Sequence, residues 1–166
     1  MARRIPTSDV TSDVRAAFQY IVDTPVGAGA DNKNKPDVQL VQLFLNAFYK
    51  SHPELFAKLP KLAHGDQSEI GMDGQVGPQT VAGITEFQKF VIRTGKSGVF
   101  VDGRVSVPHG GFRVATTKHV FTIFQLSTFF FLISPFNAQF NANLEEHPIV
   151  AGRLPELAAE LTRNSD

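Results

Sequence analysis

Residues 73–90 read Asp-Gly-Gln-Val-Gly-Pro-Gln-Thr-Val-Ala-Gly-Ile-Thr-Glu-Phe-Gln-Lys-Phe, and this order commits the chain to a corner that feeds a helix. Asp73-Gly74 marks a tight turn, because glycine accepts positive φ and aspartate hydrogen-bonds its own backbone. Gly77 lets the chain bend again. Pro78 suits the first helical position, where its missing N–H needs no partner. Ile84, Phe87 and Val91 then recur at helical spacing, flanked by Val81 and Phe90, so one face is predicted to be buried.

An Asp-Gly corner recurs at Val101-Asp102-Gly103-Arg104-Val105, and Asp37-Val38-Gln39-Leu40-Val41-Gln42-Leu43 reads as an earlier helix. Together these resemble the peptidoglycan-binding domain-like family, a three-helix module of cell-wall hydrolases. Its core reads Asp-Gly-x-x-Gly-Pro-x-Thr-x-x-Ala-Ile-x-x-Phe-Gln. The residues here that match are Asp73, Gly74, Gly77, Pro78, Thr80, Phe87, Gln88, Asp102 and Gly103. Gly83 stands where the family usually has alanine. After the second corner, Ser106-Val107-Pro108 replaces Gly-Pro-x-Thr. The resemblance covers residues 36–133 and implies a mainly α fold with a three-helix core. It also implies a shallow ligand groove beside the Asp-Gly turns and the start of the middle helix. Exposed polar neighbours of that groove, Gln75, Gln79 and Arg104, are the expected ligand contacts.

The remaining chain is expected to form extensions to this module. Val14, Ala17, Phe18, Ile21 and Val22 repeat on one helical face, which predicts a helix beginning at Ser12 or Asp13. Residues 23–36, rich in Gly, Pro and Asn, read as a flexible linker. The expected divisions are therefore an N-terminal arm over 1–35, the module over 36–133 and a C-terminal arm over 134–166. Within the module, a helix from Asp37 to Lys50 is capped by Asp37, and residues 61–72 form a long loop. Alternation around Asp102-Gly103 predicts a small hairpin. A helix from about Lys118 to Ile133 is apolar nearly all round. It reads as core, with Phe129, Phe130 and Phe131 as candidate contacts for another subunit. Its uncharged run, ended by Pro135, is too short for a bilayer span of about 20 residues. A short helix from Pro155 closes the chain.

Composition narrows the function classes. The 16 basic and 16 acidic residues of this 166-residue chain balance, which speaks against nucleic acid as a partner. The absence of cysteine excludes disulfides and thiolate chemistry. No phosphate-cradling loop, nucleophile elbow or metalloprotease motif is present, and the five histidines are scattered. His64 with Asp66, Glu69 with Asp73, and Glu145 with Glu146 are the nearest to chemical pairs, and no spacing sets them around a cleft. No catalytic residue, metal or cofactor is therefore expected. The basic start lacks an apolar run and is not a secretory signal. The expectation is a protein made in the cytoplasm and delivered to the cell envelope or built into a particle. Its expected partners are peptidoglycan and other protein subunits. A structural subunit of a phage tail or contractile injection system is the alternative, and a small wall hydrolase the third.

Overall fold

A computed structural model describes residues 2–6, 18–61, 68–95, 98–108, 121–132 and 144–164. The elements in order are strands β1 (Arg3–Pro6), β2 (Phe18–Ile21) and β3 (Val26–Gly27), helices α1 (Lys35–Ser51), α2 (Pro53–Phe56) and α3 (Pro78–Arg93), strand β4 (Arg104–Val105), and helices α4 (Thr122–Leu132), α5 (Pro148–Arg153) and α6 (Pro155–Arg163). The fold is mainly helical with little strand. A 3₁₀ turn, Leu144–Glu146, precedes α5.

Helix α1 is the axis of the molecule. It is buried without interruption from Asp37 to Tyr49, with α2, α3, α4, α6 and β3 packed around it. Helices buried on every side are normally apolar throughout. Here Gln42 and Asn46 are tolerated because loops satisfy them. Asn46 donates to the Ile70 carbonyl at 2.8 Å and accepts from the Ile70 N–H at 2.7 Å. The helix starts earlier than expected. Asn34 caps it, accepting from the Asp37 N–H. Asp37 is thereby released to accept from the Thr24 backbone N–H at 2.9 Å and hydroxyl at 2.6 Å.

Helix α3 follows its sequence signal closely. Gly77 is the extended N-cap and Pro78 begins the helix. Ile84, Phe87 and Val91 are buried, with Phe87 edge-on to Phe48 of α1 at 4.9 Å. Gly95 ends it at φ +67°, the left-handed geometry of a helix stop. Helix α4 packs on α1 and β2. Phe130 is fully buried against Phe44 at 5.0 Å, and Phe129 packs on Phe48 at 5.1 Å. These two phenylalanines fill the core and are not surface contacts, a correction to the expected subunit interface. The Phe131 side chain lies outside the described residues.

Three further expectations are corrected. Residues 18–21 are a strand antiparallel to β1, with Arg3 opposite Ile21 and Pro6 opposite Phe18. The helical pattern over 14–22 loses to tertiary partners. The Tyr20 N–H donates to Ser127 of α4, and its hydroxyl accepts from the Leu144 N–H at 2.7 Å. Residues 12–17 of the predicted helix lie outside the described residues.

The presumed linker is instead a tight, ordered turn. Val22 and Val26 are fully buried. Asn32 accepts from the Gly27 N–H and donates to the Gly27 and Ala30 carbonyls. Its Gly and Asn residues supply positive φ at Gly27, Gly29 and Asn32 rather than slack.

The expected hairpin does not form at Asp102-Gly103. Its second half, β4, pairs with the distant β3, Val105 opposite Val26 and Arg104 opposite Gly27, and residues 98–101 carry no strand. Residues of the expected arms and module share buried contacts. One buried cluster runs from Ala2 and Tyr20 through α1, α3 and α4 to Val150, Leu157 and Leu161.

Candidate functional site

Each Asp-Gly corner is built the same way. At the first, the Asp73 carboxylate accepts from the Gln75 N–H at 2.9 Å, and Gly74 takes φ +76°. At the second, Asp102 accepts from the Arg104 N–H at 3.0 Å, and Gly103 takes φ +69°. A buried glutamine on an earlier helix, α1 for the first corner and α3 for the second, clasps each corner. Gln42 Nε2 donates to Asp73 Oδ1 (3.3 Å), the Gln75 carbonyl (2.9 Å) and Thr80 Oγ1 (3.3 Å), while its Oε1 accepts from the Gly74 N–H at 3.0 Å. Gln88 repeats this with Asp102 Oδ1 (3.0 Å), the Arg104 carbonyl (3.0 Å) and Thr122 Oγ1 (3.1 Å), and accepts from the N–H groups of Asp102 and Gly103. A threonine on the following helix completes each clasp. Helix α3 therefore supplies the threonine of the first corner and the glutamine of the second.

Beside the first turn of α3 lies an open groove of about 640 Å³, lined by Lys58, Leu59, Val76, Gly77, Pro78, Val81, Ala82, Thr85 and Glu86. Its floor is apolar and its rim carries one charge of each sign. Glu86 is paired with Lys89 at 3.1 Å. The Val81–Thr85 wall touches the second corner. A Cβ placed on Gly103 would lie 2.9 Å from Thr85 Oγ1, 3.1 Å from Val81 Cγ1 and 3.5 Å from the Ala28 methyl, so glycine permits this approach.

The residues expected to contact ligand separate sharply. Gln75 is exposed beside the groove residue Val76. Gln79 is buried, and its Nε2 donates to the Pro60 carbonyl at 3.1 Å. It braces the chain after α2 and is withdrawn as a ligand contact. Arg104 is half-buried at the second corner, with Nη1 3.5 Å from the Gly29 carbonyl. Of the motif residues, Gly77 and Pro78 line the groove, Thr80, Gln88 and Phe87 are buried, and Asp73 and Asp102 hold their turns. Sequence reasoning missed Gln42, Lys58 and Thr85. The signal for Gln42 was present, since a helix-borne glutamine precedes both Asp-Gly corners.

Burial, with the Glu86 carboxylate adding, pushes the Tyr49 phenol far up, so its hydroxyl stays a donor to the Gly83 carbonyl at 2.7 Å. His52 Nδ1 lies 3.1 Å from the Phe48 carbonyl, and His147 Nδ1 accepts from the Ile149 N–H. Glu69 pairs with Arg153, and Glu145 and Glu146 sit in the 3₁₀ turn. Among the described residues no group of three or more His, Asp or Glu is placed to hold a metal ion, and no helix is long and apolar enough to cross a membrane. His64 and Asp66 lie outside the described residues. A second cavity of about 210 Å³ lies between α1, α3 and α4, lined by His52, Phe87, Phe90, Val91, Thr94, Gln125, Thr128 and Phe129. No family model, curated protein or solved structure matches the chain.

Proposed function

We propose that this protein is a non-catalytic peptidoglycan-binding module of the peptidoglycan-binding domain-like kind, working within a phage, lysis or injection-type assembly. The observation that carries this reading is the pair of glutamine-clasped Asp-Gly corners, with an open groove at the start of the helix between them. This is where the resemblance puts a wall ligand. Rigid corners fix the groove walls before ligand arrives, which lowers the ordering cost of binding. Retention of the protein on purified sacculi, above that of an unrelated neutral protein, is the expected result. Equal retention rejects the proposal.

A second reading, a structural subunit that uses the fold for protein contact, is favoured by one observation. Ile92, Phe100 and Val101 expose large apolar side chains near the end of α3 and the second corner. Self-association that rises with concentration in light scattering and is lost in Phe100→Ser supports it. Monomeric behaviour throughout, together with sacculus retention, leaves the first reading standing.

A further inference from the structure

Several charged groups are neutralised within the chain. Lys35 pairs with Glu156, Lys89 with Glu86 and Arg153 with Glu69. Two cations differ, Lys58 in the groove lining and Arg104 at the second corner. Among the described residues, neither Lys58 nor Arg104 has a carboxylate within ion-pair distance. Lys58 stands exposed on the groove rim. Arg104 is held by β3–β4 pairing and follows Gly103, whose corner abuts the Val81–Thr85 wall. Its Nε is shielded from solvent with no acceptor, and Nη1 has only the long 3.5 Å approach to the Gly29 carbonyl.

A half-buried guanidinium without a counter-ion is costly. Its planar fork suits a carboxylate, which accepts two parallel N–H bonds. On the groove wall Val81 and Ala82 are apolar and Thr85 adds one hydroxyl. That hydroxyl donates to the Val81 carbonyl at 2.9 Å, which leaves its lone pairs to accept an N–H. Glu86 adds no net repulsion because Lys89 offsets it.

From this arrangement we infer that the groove takes a short peptide bearing two carboxylates, one forked by Arg104 and the other set against Lys58. Resting on the wall-binding reading, this makes the acidic stem peptide the recognised part of the wall, and not the glycan strand. Neutral sugars would leave both cations unpaired.

The test titrates the full chain with three probes, followed by amide chemical shifts and calorimetry. The probes are a synthetic stem tetrapeptide with two free carboxylates, the same peptide with both carboxylates amidated, and a neutral chitin oligosaccharide. The diacid is expected to bind at least about tenfold more tightly than the bis-amide, the scale of charge-assisted hydrogen bonds. Its affinity should fall with salt. Arg104→Gln should remove about tenfold of that affinity. Arg104→Lys, which keeps the charge and loses the fork, should remove most of it while leaving the melting temperature unchanged. Equal binding of diacid and bis-amide, or binding of the oligosaccharide alone, overturns the inference. Sacculus retention with no diacid binding overturns it while the wall reading stands. Diacid binding without sacculus retention upholds it and removes the wall reading.

Discussion

Replacing Gln88 with leucine tests the architecture most directly. Gln88 is fully buried, and its side chain serves five partners at 3.0–3.1 Å. Leucine fills a similar volume and serves none of them. Asp102 is exposed, so its carboxylate and N–H recover water. The buried Gly103 N–H and Thr122 hydroxyl do not. Two orphaned buried groups cost about 1–3 kcal/mol each, partly offset by the added apolar surface. A net loss of about 3 kcal/mol is expected, which lowers the melting temperature of a chain this size by about 6–12 °C. Gln88→Glu sharpens the test. One oxygen keeps accepting from the two N–H groups, but the other faces Asp102 Oδ1 and the Arg104 carbonyl, which cannot donate. That carboxyl is driven towards its protonated form in the folded state. Protonation relieves the clash, so the variant regains stability as pH falls, relative to wild type. Urea unfolding followed by circular dichroism at several pH values measures both. A Gln88→Leu loss below about 0.5 kcal/mol, within the scatter of surface changes, refutes the clasp. So does a pH-independent gap between Gln88→Glu and wild type.

Gly83→Ala gains about 1 kcal/mol of helix propensity, but the new methyl would sit 2.9 Å from Ile70 Cδ1 and 3.4 Å from Leu45 Cδ1. The variant should be less stable than wild type, and the same change made in Ile70→Val, which lacks that Cδ1, should be stabilising, as a double-mutant cycle in urea would read. Gly27→Ala places a methyl into the Gly103 carbonyl at φ +113°; a loss of about 3 kcal/mol or more and early amide exchange at Val105 are expected. Asp37 is fully buried, and burial pushes its carboxyl up, opposed by the Thr24 hydrogen bonds. The folded state therefore holds that proton more tightly than the unfolded chain, and the site's contribution weakens stability as pH rises through the raised value. The stability of wild type relative to Asp37→Asn should accordingly increase as pH is lowered from 7 towards 3, measured by urea midpoints.

The parts legible in the sequence are those fixed by neighbouring residues. Asp-Gly corners, Pro78 at a helix start and Gly95 at a helix stop each follow from their own φ and hydrogen-bonding chemistry. What escaped reading depends on distant chain. Phe18 to Ile21 repeat as a helix would, yet Ser127 and Leu144 hold Tyr20 in a strand. Val105 finds its partner at Val26, not across the adjacent turn. Gln79 reads as a solvent-facing polar residue on a helix, and the Pro60 carbonyl that buries it is invisible to local pattern. The groove was half legible. Gly77 and Pro78 mark one end of it, whereas Lys58 joins it from the turn after α2, a meeting of distant chain that no local pattern marks.

Because α3 closes one corner and opens the next, the two corners are spliced into a series and not set side by side. Such a series lengthens with any further helix that offers threonine backwards and glutamine forwards. On α4, the position that stands to Thr122 as Gln88 stands to Thr80 is Phe130. It offers no amide for another corner, and its ring packs on Phe44 and His147. Among the described residues, a single phenylalanine thus stands where the relay would need its next amide.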